Sequence, residues 1–209
     1  MYEYWTHMTI ANYLTFIRIF ISPIFFLLYV DYSYFGISDK LLPYLLLALL
    51  TVSELSDALD GYFARLYNQV TDLGKILDPM ADSIARISVF ITFTQPPVSI
   101  PLILLFVFLY RDSVTSTLRT VCALRGFALA ARPSGKIKAI LQAIASFAIV
   151  LMMIPYSMGA LSQQELHYYS TIIITLTAVY AVASAIEYLF ANRHHIAKLL
   201  KTGEKETRV

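Results

Sequence analysis

The chain has 209 residues, of which 58% are hydrophobic and 14% are charged, and its formal net charge is +2. Soluble domains carry about 25% charged residues, so this composition excludes an ordinary water-soluble domain. The small net charge gives no reason to expect nucleic acid as a partner. Cys122 is the one cysteine, which excludes an intrachain disulfide.

Six apolar runs predict six membrane-spanning helices, because a helix needs roughly 20 apolar residues to cross a bilayer. In chain order the predicted spans are about 10–30, 41–65, 73–94, 100–123, 137–156 and 168–191. Helix breakers separate them, among them Gly36, Pro96 with Pro97, and the run Pro133-Ser134-Gly135. We therefore predict an all-α, polytopic membrane protein that forms a single domain over residues 1–209.

The basic residues predict the orientation of these spans, because Lys and Arg concentrate in short cytoplasmic loops. Arg65, Lys75, Arg125 and Arg132 lie around two loops on one side, and the tail at about 192–209 adds more. The loops on the other side carry only Lys40. We therefore expect both termini in the cytoplasm, a bacterial inner membrane as the location, and contact between the tail and anionic lipid headgroups.

The second and third predicted spans carry four aspartates near their cytoplasmic ends: Asp57, Asp60, Asp78 and Asp82. A charged residue within a span costs about 2.5–3.5 kcal/mol on insertion scales. The spacing places each pair on one helix face, and the short connection makes the two helices antiparallel neighbours. Clustered carboxylates suit hard cations, so we predict a site for one or two Mg²⁺ or Mn²⁺ ions. A structural ion-pair network and the permeation site of a cation transporter remain as alternatives.

The aspartates belong to a longer pattern, D-x2-D-G-x2-A-R-x8-G-x3-D-x3-D, which runs from Asp57 to Asp82. This pattern resembles the signature of the CDP-alcohol phosphotransferases, and the six-span layout extends the resemblance over most of the chain. The resemblance implies that the four aspartates bind metal, that Asp82 also acts as general base on the acceptor hydroxyl, and that the protein is a homodimer. It implies that the CDP-linked donor is bound by Asp57, Gly61, Ala64, Arg65, Thr71 and Gly74.

A basic group follows in the fourth and fifth spans, where Arg111 and Arg119 share a broad helix face and Lys136 and Lys138 open the next helix. Four cations near one cytoplasmic cavity suit the phosphate of a phosphorylated acceptor. The alternative is that the arginines pair with Asp112 or extend to lipid headgroups. The predicted active site therefore lies at the cytoplasmic side of the bundle, where a lipid donor and a water-soluble acceptor can meet.

Two segments resemble the phosphatidylglycerophosphate synthase branch of that family: Arg111-x7-Arg119 with G-K-I-K-x3-Q, and Asn12-x-Leu14-Thr15-x2-Arg18-x4-Pro23. Asp112 and Ala139 depart from the branch, in which we expect Glu and Thr. The branch implies transfer of a phosphatidyl group from CDP-diacylglycerol to glycerol 3-phosphate, giving phosphatidylglycerophosphate and CMP. Inositol phosphate, serine and phosphatidylglycerol remain alternative acceptors. Further candidates for the acceptor site are Asn12, Thr15 and Arg18.

Overall fold

The structure, a computed structural model, describes residues 10–66, 72–124, 132–194 and 196, with the side chains of 10–12, 60–65, 72–78 and 123–124 left aside. Six helices fill these ranges, and no strand occurs in them. They are α1 Ile10–Asp31, α2 Leu42–Leu66, α3 Asp72–Phe93, α4 Leu102–Leu124, α5 Pro133–Ser157 and α6 Gln163–Ala191. The predicted all-α class is therefore confirmed.

Two helices begin about one turn earlier than the apolar runs predict. Pro133, Ser134 and Gly135 were predicted to form a loop, but they are the first residues of α5. Proline is tolerated there because the N–H that it lacks would have no partner within the first turn. The start of α6 is extended by a reciprocal cap, in which the Glu165 N–H donates to Ser162 Oγ at 3.2 Å and the Ser162 N–H donates to Glu165 Oε2 at 2.9 Å.

The helices pack as an antiparallel bundle in which α1 lies against both α2 and α3. Helix α5 packs on α2 and α6, and α4 packs on α3 and α6. We call the end at which α1, α3 and α5 begin the lower end, and the end at which they finish the upper end. The upper end is held by Tyr29, whose hydroxyl donates to Gln95 O at 3.1 Å and accepts from Val98 N at 3.3 Å. These bonds fix the end of α1 to the connection between α3 and α4.

Four helices have segments long and apolar enough to cross a membrane, namely Tyr13–Asp31, Leu42–Leu59, Pro133–Ser157 and Gln163–Ala191. Their outward side chains fit a lipid environment, since Phe20, Leu176 and Phe190 are each about two-thirds exposed. Helices α3 and α4 are 22 and 23 residues long, and α4 carries Arg111, Asp112 and Arg119. The chain is thus a membrane protein with charged residues inside its helix bundle.

Candidate active site

Arg18 joins three helices at one point inside the bundle. Its Nη1 atom donates to Asp57 Oδ1 of α2 at 2.5 Å and also to Asp82 Oδ1 of α3. The Arg18 side chain is only 2% exposed, whereas Asp57 is 34% and Asp82 is 28% exposed. Arg86 approaches the same group, with Nη2 3.8 Å from Asp57 Oδ2. The carboxylates of α2 and α3 therefore converge, as the spacing of the aspartates predicts.

This arrangement fits a divalent cation, because oxygens from two helices already meet at a single positively charged nitrogen. Magnesium requires short contacts to oxygen ligands, and carboxylates on separate elements can supply them. Positions 60 and 78 lie within α2 and α3, one turn from Asp57 and Asp82, but their side chains lie outside the described residues. Among the described side chains no set of three or more possible metal ligands comes together.

The residues predicted to bind the donor lie mostly outside the described part of the chain. Gly61, Ala64 and Arg65 belong to the last turns of α2, and Gly74 belongs to the first turn of α3. Thr71 precedes α3 and lies outside the described residues. These positions put the predicted donor residues at the lower end, beyond the point where Asp57 and Asp82 meet, and their role stays a prediction.

A second charged cluster joins α4, α5 and α6. Lys138 Nζ lies 2.7 and 2.8 Å from the two carboxylate oxygens of Asp112, and Arg111 Nη1 lies 3.0 Å from Asp112 Oδ1. Asp112 is 8% exposed and Lys138 is 4% exposed. Arg111 also donates from Nη2 to Ser184 Oγ of α6 at 3.3 Å. The structure thus brings Arg111 and Lys138 together and pairs both with Asp112, which leaves one formal positive charge in a buried position.

The other two predicted acceptor cations lie apart from Asp112. Arg119 lies over the ring of Tyr188, with its guanidinium carbon 5.6 Å from the ring centroid, a distance typical of a cation–π contact. Lys136 is exposed at the start of α5. Both are closer than Arg111 to the lower end of the bundle.

Several buried polar atoms near this cluster have no hydrogen-bond partner among the described residues. They are Arg111 Nε, Ser134 Oγ, Tyr188 Oη, and both Nε2 and Oε1 of Gln142. Leaving such an atom unpaired costs about 1–3 kcal/mol, so native proteins seldom bury several together without a ligand or water. Sequence reasoning missed Ser184 and Tyr188, although their four-residue spacing on α6 repeats that of Lys138 and Gln142 on α5. The arrangement is suited to a small polar molecule that carries a negatively charged group.

The two clusters are neighbours. Arg86 of α3 lies 3.8 Å from Asp57, and α5, which carries Lys138, packs on α2 and also contacts α3. The paired cations at Asp112 and the carboxylates that converge on Arg18 therefore lie on helices that pack against one another.

Comparison with known proteins shows the family to which the chain belongs. The family model of the CDP-alcohol phosphatidyltransferases matches residues 8–183, which is most of the chain and includes the charged residues of both clusters. The chain belongs to the CDP-alcohol phosphatidyltransferase family. The family predicted from the Asp57–Asp82 pattern is confirmed, and members of this family are generally metal-dependent.

Relatives of this phosphatidyltransferase extend over most of its length. A protein of Bacillus subtilis named CDP-diacylglycerol–glycerol-3-phosphate 3-phosphatidyltransferase is 31% identical over 189 residues, 88% of this chain and 94% of its own. A protein of the same name from Rickettsia typhi is 32% identical over 144 residues, covering 68% of this chain and 76% of its own. A Streptomyces coelicolor protein named cardiolipin synthase (CMP-forming) is 36% identical over 107 residues, 51% of this chain and 48% of its own.

Proposed function

We propose that this phosphatidyltransferase makes phosphatidylglycerophosphate and CMP from CDP-diacylglycerol and glycerol 3-phosphate, a step of phospholipid biosynthesis. The observation that carries the proposal is the adjacency of two clusters, the converging carboxylates of Asp57 and Asp82 and the buried cations Arg111 and Lys138. The names of the Bacillus subtilis and Rickettsia typhi relatives support the same reaction.

The acid cluster is suited to hold the head of the donor through metal. Its proposed ligands for one or two Mg²⁺ or Mn²⁺ ions are Asp57, Asp60, Asp78 and Asp82. Bound there, such ions would neutralise negative charge on the diphosphate of the donor. In the same proposal, Gly61 and Ala64 would leave space for the nucleotide, Arg65 would bind the diphosphate, and Gly74 and Thr71 would contribute to the nucleotide site.

The basic cluster is suited to hold the acceptor. Arg111 and Lys138 would bind the phosphate of glycerol 3-phosphate, with Arg119 and Lys136 on its path from the lower end. Asp112 keeps both cations in place, because it accepts hydrogen bonds from Lys138 and Arg111 at 3.0 Å or less. An acceptor bound there by its phosphate would present its terminal hydroxyl to Asp82.

Asp82 is the proposed general base. It accepts the proton of the acceptor hydroxyl while the hydroxyl oxygen bonds to the phosphorus that carries diacylglycerol, and the bond from that phosphorus to the CMP oxygen breaks. Asp82 is 28% exposed, so a small molecule can reach its carboxylate. Arg18 contacts that carboxylate and holds it in position. Arg18 was predicted among the acceptor candidates with Asn12 and Thr15, but its contacts favour a role in the acid cluster.

The proposed topology places the lower end in the cytoplasm, where CDP-diacylglycerol presents its head and glycerol 3-phosphate is dissolved. All six helices would then cross a bacterial inner membrane, including α3 and α4, whose Asp82 and Asp112 pair with cations of other helices. Both termini would lie in the cytoplasm, with the tail at about 192–209 on anionic headgroups. Pairing into a homodimer belongs to the same proposal.

Phosphatidylglycerol as acceptor is the second candidate, and the Streptomyces coelicolor relative named cardiolipin synthase supports it. The buried pair of cations argues against it, because the phosphodiester of that lipid carries one negative charge and the phosphomonoester of glycerol 3-phosphate carries about two. Serine has no phosphate, so Arg111 and Lys138 would have no acceptor phosphate to bind. Inositol phosphate would meet the charge requirement but is bulkier than glycerol 3-phosphate.

An acceptor comparison tests the proposal. Purified protein in detergent would receive labelled CDP-diacylglycerol, Mg²⁺, and one acceptor at a time: glycerol 3-phosphate, inositol phosphate, serine or phosphatidylglycerol. We expect CMP release and a labelled phosphatidylglycerophosphate with the first acceptor alone. Release of CMP with phosphatidylglycerol but not with glycerol 3-phosphate would replace the proposal by the second candidate. Absence of CMP release with every acceptor would reject both.

A further inference from the structure

A cavity of about 570 Å³ lies at the upper end of the bundle, away from both charged clusters. Its volume falls within the range of roughly 300–1,000 Å³ that is typical of small-molecule sites. The ends of α1 and α5, the starts of α2 and α6, and the connection between α3 and α4 form its walls. Tyr29, in its lining, lies three turns beyond Arg18 on α1, roughly 16 Å along the helix axis. We call it the upper cavity.

The charge of the upper cavity favours a cation as its ligand. Asp39 is the one charged residue among those that line it. This carboxylate is exposed, forms no ion pair with any described residue, and raises the pKa of the Tyr32 hydroxyl, chiefly through a hydrogen bond between them. A cleft lined by charge of one sign concentrates ions of the opposite sign. Phosphate and other anions would meet no positive charge there.

Aromatic rings surround the same space. Tyr29 near the end of α1, Tyr32 just after it, and Tyr156 near the end of α5 all line the cavity. Tyr29 is held in place by its hydrogen bonds to the connection between α3 and α4. The face of an aromatic ring attracts a cation, and groups of such rings bind quaternary ammonium ions in proteins. A carboxylate and three tyrosines therefore suit an organic cation.

The rest of the lining offers little to a sugar or another polyol. Ser157 Oγ already donates to Ile154 O at 2.8 Å, and Ser162 Oγ donates to Glu165 Oε2 at 2.7 Å. Methyl and methylene groups, in contrast, would contact apolar side chains in the cavity. These apolar residues are Leu42, Pro43, Pro96, Pro97, Met153 and Leu161.

We propose that the upper cavity binds a substituted ammonium group, with the Asp39 carboxylate as its counter-charge and the three tyrosines as its aromatic surfaces. Two sources carry this chemistry, the headgroup of an ammonium-bearing lipid and a soluble quaternary amine. In the proposed topology the upper end is on the side of the membrane opposite to the cytoplasm. The ligand therefore reaches the cavity without competing with either substrate of the proposed reaction.

The test for a soluble source measures the binding of choline to purified protein in an uncharged maltoside detergent by isothermal titration calorimetry. The matched probe is 3,3-dimethyl-1-butanol, which has the shape of choline with carbon in place of the charged nitrogen. We expect choline to bind at least about tenfold more tightly than this neutral probe, because only choline carries the charge that Asp39 and the tyrosines attract.

The test for a lipid source uses native mass spectrometry of the same protein mixed with a short-chain phosphatidylcholine or with a phosphatidylglycerol of the same chain length. We expect phosphatidylcholine to be retained and its retention to be lost in Asp39→Asn. Retention of the lipid without binding of choline identifies a lipid headgroup as the ligand. Binding of choline without retention of the lipid identifies a soluble amine.

Two variants assign the binding to the upper cavity. Asp39→Asn should weaken choline binding at least about fivefold, because it removes the counter-charge and keeps the size of the side chain. Tyr156→Leu should weaken it to a similar extent, because it removes an aromatic face and keeps an apolar side chain. Asp31→Asn is the matched control, since Asp31 is exposed at the end of α1 and does not line the cavity. Thermal unfolding checks that all three variants fold.

Three results would reject the inference: neither choline nor phosphatidylcholine binds, choline and the neutral probe bind equally, or Asp39→Asn keeps the wild-type affinity. An equal loss in Asp31→Asn and Asp39→Asn would also reject it, because the general charge of the upper surface would then be the cause. No step of this experiment uses CDP-diacylglycerol or CMP release. The inference and the proposed function therefore succeed or fail separately.

Discussion

Arg18 Nη1 lies 2.5 Å from Asp57 Oδ1, and this contact fixes α1 to α2 within the candidate active site. The same nitrogen contacts Asp82, so a single guanidinium balances carboxylates from two helices. Two carboxylates that converge on one point repel each other unless a positive charge lies between them. Arg18 therefore determines whether α2 and α3 can present their aspartates to a common point.

Replacing Arg18 with glutamine should destabilise the protein most when no divalent metal is bound. Removing one partner of a fully buried ion pair costs roughly 3–5 kcal/mol, and the partial exposure of Asp57 and Asp82 reduces this to about 1–3 kcal/mol. Thermal unfolding of detergent-purified protein with EDTA and then with Mn²⁺ measures the effect. Mn²⁺ should raise the unfolding temperature more in the variant than in wild type, because it supplies the missing positive charge.

Arg193→Gln serves as the control for Arg18, since Arg193 is exposed beyond the end of α6 and should change unfolding little. Arg18→Lys should recover part of the lost stability, because it keeps the charge but not the guanidinium geometry. An equal loss of stability in Arg18→Gln with EDTA and with Mn²⁺ would mean that Arg18 only supports packing, and that it does not balance the charge of the proposed metal ligands.

The sequence predicted the convergence of Asp57 and Asp82 because helix periodicity and a short connection suffice for it. It did not predict the contact of Arg18 with them, which joins residues 39 and 64 positions apart and depends on how α1 packs. The same limit applies to Gln142, whose burial without a partner follows from packing against other helices. The prediction of a loop at Pro133 was wrong, because proline is typical of loops but here occupies the first position of α5.

Asp82→Asn should reduce turnover by at least about 10²–10⁴-fold, the range that a general base contributes, while the folded protein still binds nucleotide. The asparagine cannot accept the proton of the acceptor hydroxyl. CMP release from labelled CDP-diacylglycerol measures turnover, and equilibrium binding of labelled CMP measures the nucleotide site. Turnover near that of wild type would remove Asp82 from the role of base. Loss of both turnover and CMP binding would point instead to a role confined to holding metal.

Lys138→Met should raise the KM for glycerol 3-phosphate more than tenfold and change the KM for CDP-diacylglycerol less than about threefold. Lys138 is 4% exposed and bound to Asp112, so its removal takes away a desolvated cation from the proposed phosphate site. Initial-rate measurements with one substrate varied at a time give the two constants. Lys40→Met is the control, because Lys40 is exposed in the upper-end connection between α1 and α2. Equal increases of both constants would show that Lys138 supports the whole site rather than the acceptor.

Removal of divalent metal should stop CMP release completely and reversibly. The proposed ligands are all carboxylates, which bind hard cations through oxygen, so EDTA should strip the ions and added Mg²⁺ or Mn²⁺ should restore turnover. Ca²⁺ should restore much less, because it prefers more ligands at longer distances than Mg²⁺. The decisive comparison is with Asp57→Asn, which should need a higher Mn²⁺ concentration for half-maximal turnover than wild type. Full activity after thorough chelation would show that Asp57 and Asp82 work without metal, with Arg18 and Arg86 as their only cationic partners among the described residues.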